Sequence, residues 1–162
     1  MNLLTLYITL GIVAAVVAPM FAYSYSLKSK KKKKLQQFLS MGEKHQMMIE
    51  EYDFSLYASI GIDKKAGKLI YVHGKSVDAP ELVIDLKNYK HCEAANVSRS
   101  VGSQKDLTTI IDRVELVLKP KEQTEKEVKL EFFNSEHDSH ITDENETVAK
   151  WAGVVNQWIK KN

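Results

Sequence analysis

The first 27 residues contain no charged side chain, and this stretch limits what the chain can fold into more than any other feature. Residues 3–25 are mostly Leu, Ile, Val and Ala. An α-helix rises about 1.5 Å per residue, so about 20 apolar residues cross the ~30 Å hydrocarbon core of a bilayer. The stretch is long enough, and it predicts a transmembrane helix that anchors the protein through residues 1–27.

A cleaved signal peptide is the competing interpretation of this apolar stretch. Signal peptides carry Lys or Arg before the apolar region and a small-x-small cleavage site after it. Neither feature accompanies residues 1–27. The pattern therefore favours an anchor that stays attached to the protein.

Lysines follow the apolar stretch at once, whereas no charged side chain precedes it. They are Lys28, Lys30, Lys31, Lys32, Lys33 and Lys34. Positively charged flanks of a membrane helix stay on the cytoplasmic side. We therefore expect a single-pass protein with its N-terminus outside and its main body in the cytoplasm. Such lysines also attract anionic lipid, at about 1 kcal/mol each, but we interpret the run first as a topology signal.

Charge and cysteine content exclude several function classes. The whole chain has a net charge of +2, but residues 35–162 carry 17 basic against 21 acidic side chains, a net charge of −4. A mildly acidic body argues against a nucleic-acid-binding domain. The single Cys excludes an intramolecular disulfide and a zinc site built mainly on thiolates.

A basic juxtamembrane segment and connector over residues 28–52 separates the anchor from a domain over residues 53–162. Residues 54–62 alternate apolar with polar or small side chains, which predicts one strand. Further strands are predicted over residues 68–73, 81–86, 89–97, 110–118 and 127–134, with a loop over 98–108. In the strand at 110–118, alternation puts Ile110 on the same face as Val114, Leu116 and Leu118.

The C-terminal segment predicts one amphipathic helix. Asp143 and Glu146 have the spacing of a capping box. An apolar stripe follows at helical spacing, and a one-sided sheet would cover it. The stripe consists of Val148, Trp151, Ala152, Val155, Trp158 and Ile159.

Six or seven antiparallel strands followed by a helix that carries Trp151 resemble the pleckstrin-homology-like (PH-like) fold. The resemblance is closest to bacterial PH-like domains attached to a single transmembrane helix. It implies two near-orthogonal sheets, or a partly open barrel, closed at one end by the C-terminal helix. The hairpin around residues 63–67 and the strand pair 110–118 and 127–134 carry it together with Trp151.

The resemblance implies a protein-interaction module that acts as an adaptor or scaffold, with residues 63–75 and 98–108 as docking regions. Many PH domains bind inositol phosphates through a basic hairpin. An alternative function is therefore a reader of anionic lipid headgroups. The lysines available for it are Lys64, Lys65, Lys68 and Lys75.

Enzymatic chemistry has little support in the sequence. His137 and His140 stand beside Glu136 and Asp138, and all four are residue types that bind metals. They fall in a predicted loop, where sequence spacing fixes no geometry. We therefore expect no catalytic residues, no metal and no cofactor, with a metal-dependent enzyme as the least favoured alternative.

Overall fold

The computed structural model describes residues 28–74, 79–102, 108–122 and 124–162. The chain divides into two compact units, residues 1–40 and 41–162. Helix α1 covers residues 28–44 and contains the six juxtamembrane lysines. No helix of the described residues has both the length and the apolar character that crossing a membrane requires. The predicted anchor, residues 1–27, lies outside the described part of the chain.

The second unit contains two antiparallel sheets and a C-terminal helix. The first sheet has the order β1-β2-β3-β4, and the second has the order β5-β6-β7. The strands of the first sheet are Glu51–Phe54, Ala58–Asp63, Lys68–His73 and Glu81–Asp85. Those of the second are Tyr89–Val101, Thr108–Pro120 and Val128–Asn134, and helix α2 follows at Glu144–Lys161. The mainly-β class with a closing helix is thus confirmed, and the arrangement is compatible with a PH-like fold.

The single strand predicted over residues 54–62 is wrong. The chain turns back between β1 and β2, where the Ser55 N–H donates to the Ala58 carbonyl at 2.9 Å. The Ser55 hydroxyl accepts from the Ala58 N–H at 3.1 Å, so the serine side chain closes the turn. Alternation continues through a tight turn of this kind, which is why the pattern concealed it. This hairpin contributes one strand more than the pattern located, and the total of seven agrees with the prediction of six or seven strands.

Helix α2 closes the core that the two sheets share. Trp151 is fully buried, and its indole N–H donates to the Asp53 carboxylate at 2.8 Å. Truncating a buried aromatic of this size to Ala costs about 3–5 kcal/mol. The apolar side chains of α2 that are buried are Val148, Trp151, Ala152, Val155 and Trp158, and Ile159 packs partly buried against them.

The start of α2 differs from the predicted capping box. The N-cap residue Asp143 makes no side-chain cap hydrogen bond, because its backbone (φ −121°, ψ 9°) lies outside the β region that such a cap requires. Glu144 is buried instead, and its carboxylate accepts from the Thr142 N–H at 2.7 Å. A carboxylate thus still lies at the positive end of the helix dipole, one residue later.

Candidate functional site

Strands β5 and β6 extend beyond the rest of the second sheet. Strand β7 pairs with β6 only from Arg113 to Leu118, whereas β5 pairs with β6 out to Val101. We call residues 96–101 and 108–113 the arm. The loop predicted over residues 98–108 is therefore wrong at both ends, because strand pairing continues to Val101 and resumes at Thr108. A ribbon of two strands is marginally stable by itself, so a third element would stabilise the arm.

A β-bulge decides which side chains share a face of the arm. Val97 pairs with Arg113 and Ser98 pairs with Ile111, which leaves Asp112 as an extra residue in β6. Directly opposed residues share a face, so Ile110, opposite Arg99, lies on the face of Val97 and Val101. The predicted face of Ile110, with the core residues, is wrong because a bulge reverses alternation beyond it.

This face of the arm combines exposed apolar side chains with arginines. The exposed fractions are 39% for Val97, 47% for Val101 and 38% for Ile110. Arg99 pairs with Asp112 at 3.2 Å, and Arg113 lies opposite Val97. Exposed apolar residues next to arginine are typical of protein-interaction surfaces.

The outer edge of β5 is covered at one residue. The Asn156 side chain, which extends from α2, accepts from the Cys92 N–H at 2.9 Å and donates to the Cys92 carbonyl at 2.6 Å. Its amide takes the place that a neighbouring strand would occupy. Among the described residues, β5 has no other strand at this edge beyond Cys92. Asn156 is not among the residues that the sequence pattern singles out, although a polar residue next to the apolar side of the helix is a signal for such a contact.

The predicted lipid-binding lysines lie around the hairpin β2–β3. The Lys64 ammonium contacts the Glu51 carboxylate at 2.7 Å. Lys68 stands opposite Asp63 on one neighbouring strand and Asp85 on the other. Lys65 is exposed in the turn, and Lys75 lies outside the described residues. The turn thus carries carboxylates beside its lysines, and headgroup binding there stays a prediction.

Asp63 organises this turn. Its carboxylate is buried and accepts from the backbone N–H groups of Lys65 at 3.0 Å, Ala66 at 2.8 Å and Met48 at 2.7 Å. Burial by itself would raise the pKa of Asp63. The hydrogen bonds from Ala66, Met48 and Lys65 outweigh burial, and the pKa of Asp63 is lower than usual.

Helix α2 covers the same turn. The Trp158 indole N–H donates to the Lys64 carbonyl at 2.7 Å. Gly67 has a φ of +69°, and a Cβ atom built there would lie 2.3 Å from Cζ2 of Trp158. Only glycine fits this combination of backbone and space. The turn of the hairpin β2–β3 is therefore tightly packed against α2.

The loop between β7 and α2 contains the histidines considered as metal ligands. The buried Tyr57 hydroxyl holds this loop, since it accepts from the Ser139 N–H at 3.1 Å and donates to the His140 carbonyl at 3.3 Å. No group of three or more His, Cys, Asp or Glu side chains that could hold a metal ion occurs within the described residues. The role of His137 and His140 as ligands stays a prediction.

Concave surfaces of the described part of the domain are modest. A hollow of about 350 Å³ lies beside Asp53, Asp143, Glu146 and Lys150, and the Lys150 ammonium already contacts the Asp53 carboxylate at 2.6 Å. A cavity of about 230 Å³ lies between the β2–β3 turn and α2, next to Glu51, Lys64, Trp158 and Lys161. Pockets that bury a drug-sized ligand usually measure about 300–1,000 Å³. The charges that line the cavity are of both signs, and Lys64 and Glu51 already pair with each other. The arm is the better candidate site.

Comparison of the chain with protein-family models, with curated proteins and with solved structures finds no match. The function of the chain is therefore inferred from its own geometry.

Proposed function

We propose that this chain is a single-pass membrane protein whose cytoplasmic domain is a PH-like protein-interaction module, an adaptor or scaffold rather than an enzyme. The order of four strands, three strands and a closing helix supports the PH-like assignment. The buried Trp151 in that helix supports it further. The apolar stretch and the lysines after it support the membrane anchor and the cytoplasmic orientation.

The observation that carries the proposal is the exposed face of the arm. Val97, Val101 and Ile110 lie together on one face of the arm, which among the described residues has no third strand beyond Arg113. A docked protein would remove these side chains from water, at roughly 25 cal/mol for each Å² of apolar surface buried. Arg99 and Arg113 lie on the same face and contact Asp112 at 3.2 Å and Glu115 at 3.7 Å. A docked protein could offer these two arginines further carboxylates.

The test places a photo-crosslinking amino acid in the full chain, in cells. We expect a crosslinker at Val101 to give discrete adducts with protein. The matched control is Leu82 of β4, which is similarly exposed at 44% but lies on the other sheet, and we expect no such adducts from it. Adducts with lipid alone at Val101, or identical protein adducts from both positions, would overturn the proposal.

A pair of substitutions checks that the face itself does the binding. V101S together with I110S keeps the backbone pairing of the arm and removes its apolar groups. We expect a crosslinker at Val97 to lose its protein adducts in this variant. Retention of those adducts would show that the apolar face is not the docking surface.

A further inference from the structure

We propose that the free edge of β5 pairs antiparallel with β5 of a second copy of this chain, about a two-fold axis at Asn96. The two three-stranded sheets would become one continuous sheet. This inference rests on the proposed function and deepens it, because it names the first partner of the arm as a second copy. It concerns the backbone edge of β5, whereas the docking face consists of side chains.

The direction of the backbone groups is the first argument. The N–H and the C=O of Cys92 both point to the outer edge, because Asn156 binds both of them. These groups alternate in direction along a strand, so Ala94, Asn96 and Ser98 also present theirs to that edge. In the proposed register Asn96 faces its own copy and Ala94 faces Ser98. All paired residues therefore have their hydrogen-bonding groups aimed at one another, giving about six hydrogen bonds.

Charge complementarity fixes the register. In an antiparallel pair centred on Asn96, Glu93 of one copy lies directly opposite Arg99 of the other, and the symmetry makes this contact twice. Both residues lie on the same face of β5, since they are separated by an even number of positions. Opposite charges that face each other across strands stabilise pairing, and like charges destabilise it. If the pairing were shifted so that Ser98 lay at the axis, Glu93 would no longer face Arg99.

The β5 edge also lacks the usual protection against pairing. Proteins protect edge strands with lysines, prolines or short length. Strand β5 spans 13 residues, against 4 for β1 and 5 for β4, the outer strands of the other sheet. Between Cys92 and Val101 it contains neither Lys nor Pro. Asn156 covers Cys92, so the added ladder ends at Ala94 opposite Ser98, and the second copy's strand has to turn away before its Ser100 would face Cys92.

A membrane anchor would make this small contact effective. A short ladder with two ion pairs buries less surface than a stable dimer in dilute solution usually needs. Holding both copies on the same membrane raises their effective concentration and strengthens a weak contact without new interactions. The test therefore uses the full chain in membranes.

Cysteine crosslinking measures the register. The Cα atoms of an opposed, hydrogen-bonded pair lie about 5.5 Å apart, which a disulfide can span. We expect N96C to form disulfide-linked dimers on mild oxidation. A94C and S98C by themselves should not, because each is displaced by four residues, about 13 Å along the strand, from its own copy. Co-expressed A94C and S98C should crosslink with each other. The native thiol gives little background, since Cys92 is buried and burial raises its pKa to about 12.

Exchanging the charges of Glu93 and Arg99 distinguishes an ion pair between two copies from ion pairs within one copy. In the N96C background, E93R or R99E puts like charges opposite each other twice, and we expect about a tenfold loss of crosslinking. The double variant should restore crosslinking, although it breaks the internal pairs of Glu93 with Lys119 and of Arg99 with Asp112. Co-expression of the two single variants, with different tags, should give the mixed dimer.

The outcomes discriminate between the two proposals. V101S with I110S should leave the N96C crosslink intact, since neither residue belongs to the ladder. Equal crosslinking of N96C, A94C and S98C, or failure of the double exchange to restore the dimer, would overturn the self-pairing. Crosslinking of Val101 to other proteins would then still support the docking face. If the self-pairing tests succeed but Val101 gives no adducts with other proteins, the dimer would be supported and the docking face would be excluded.

Discussion

Two hairpins of the same domain have opposite surroundings. In the hairpin β2–β3 the turn carboxylate of Asp63 receives three backbone N–H groups, and Trp158 covers the turn. In the arm, the apolar side chains of Val97 and Val101 are exposed, and no third strand of the described chain pairs with the ribbon beyond Arg113. Both are antiparallel pairs of β-strands, so secondary structure alone does not explain the difference.

The difference follows from where helix α2 packs. The helix inserts Trp158 over the β2–β3 turn and Asn156 against Cys92 at the base of β5. Beyond Cys92, the exposed Ala94 and Asn96 show that the strand leaves the core. One hairpin thus contributes to stability, and the other is available for contacts with other molecules. The comparison leads to four predictions, from the largest effect on stability to the smallest.

Gly67→Ala tests the closed hairpin most severely. The new Cβ would lie 2.3 Å from the Trp158 ring at a φ of +69°, so we expect a loss of about 3 kcal/mol in the free energy of unfolding. Gly153→Ala is the matched control, because a Cβ there meets nothing within 4 Å and Ala favours a helix by about 1 kcal/mol. Denaturant titration of both full-chain variants measures the effect. Equal stability of the two variants would contradict tight packing of the β2–β3 turn against Trp158.

Asp63→Asn tests the carboxylate of the same turn. Loss of hydrogen bonds to a charged acceptor should reduce the free energy of unfolding by about 2 kcal/mol at neutral pH. Because the folded pKa of Asp63 is lowered, its contribution is present above the unfolded pKa of about 3.9 and disappears as the pH falls through the folded pKa. The difference between wild type and variant should therefore shrink in acid. A difference that stays constant down to low pH would exclude this role of the charge.

Asn156→Ala tests the place where the two hairpins meet the same helix. The Cys92 backbone would lose two hydrogen bonds, at a cost of about 1 kcal/mol. The Asn156→Ala substitution would also lengthen the free edge of β5, so the N96C crosslink should increase. Gln157→Ala, on the adjacent exposed position, is the control. A weaker crosslink in the Asn156 variant would argue against pairing at this edge.

Val101→Ser with Ile110→Ser tests the open hairpin. Both side chains are exposed, so we expect a change of under about 0.5 kcal/mol in the free energy of unfolding. The circular dichroism spectrum should match that of the wild type, while the protein adducts of the Val97 crosslinker disappear. A large loss of stability would mean that these residues already pack inside the folded chain.

The sequence predicted the class of the fold well, because local patterns decide it. Alternation located most strands, and the 3.6-residue period located the side of α2 that carries Trp151. The errors lie where one specific contact, rather than a repeating pattern of side chains, decides the outcome. The turn at Ser55 and the bulge at Asp112 each depend on a single residue pair, and no period reveals them.

The candidate site could be predicted only in part. The PH-like resemblance implies docking regions at residues 63–75 and 98–108, and the arm overlaps the second of them. Its character as a ribbon was not visible, because Ser98 and Ser100 lower the strand signal while pairing with β6 supplies the hydrogen bonds. The proposed contact between Glu93 of one copy and Arg99 of another can be recognised only when the bounds of β5 are known.

The bulge at Asp112 also determines the direction in which the arm extends. A bulge sharpens the local twist of its strand. A chain without Asp112 could keep Val97 opposite Arg113 and Ser98 opposite Ile111, so the composition of both faces would remain. The Asp112 partner of Arg99 and the added twist would disappear. Deletion of Asp112 is therefore expected to change the direction of the arm while each of its faces keeps the same residues.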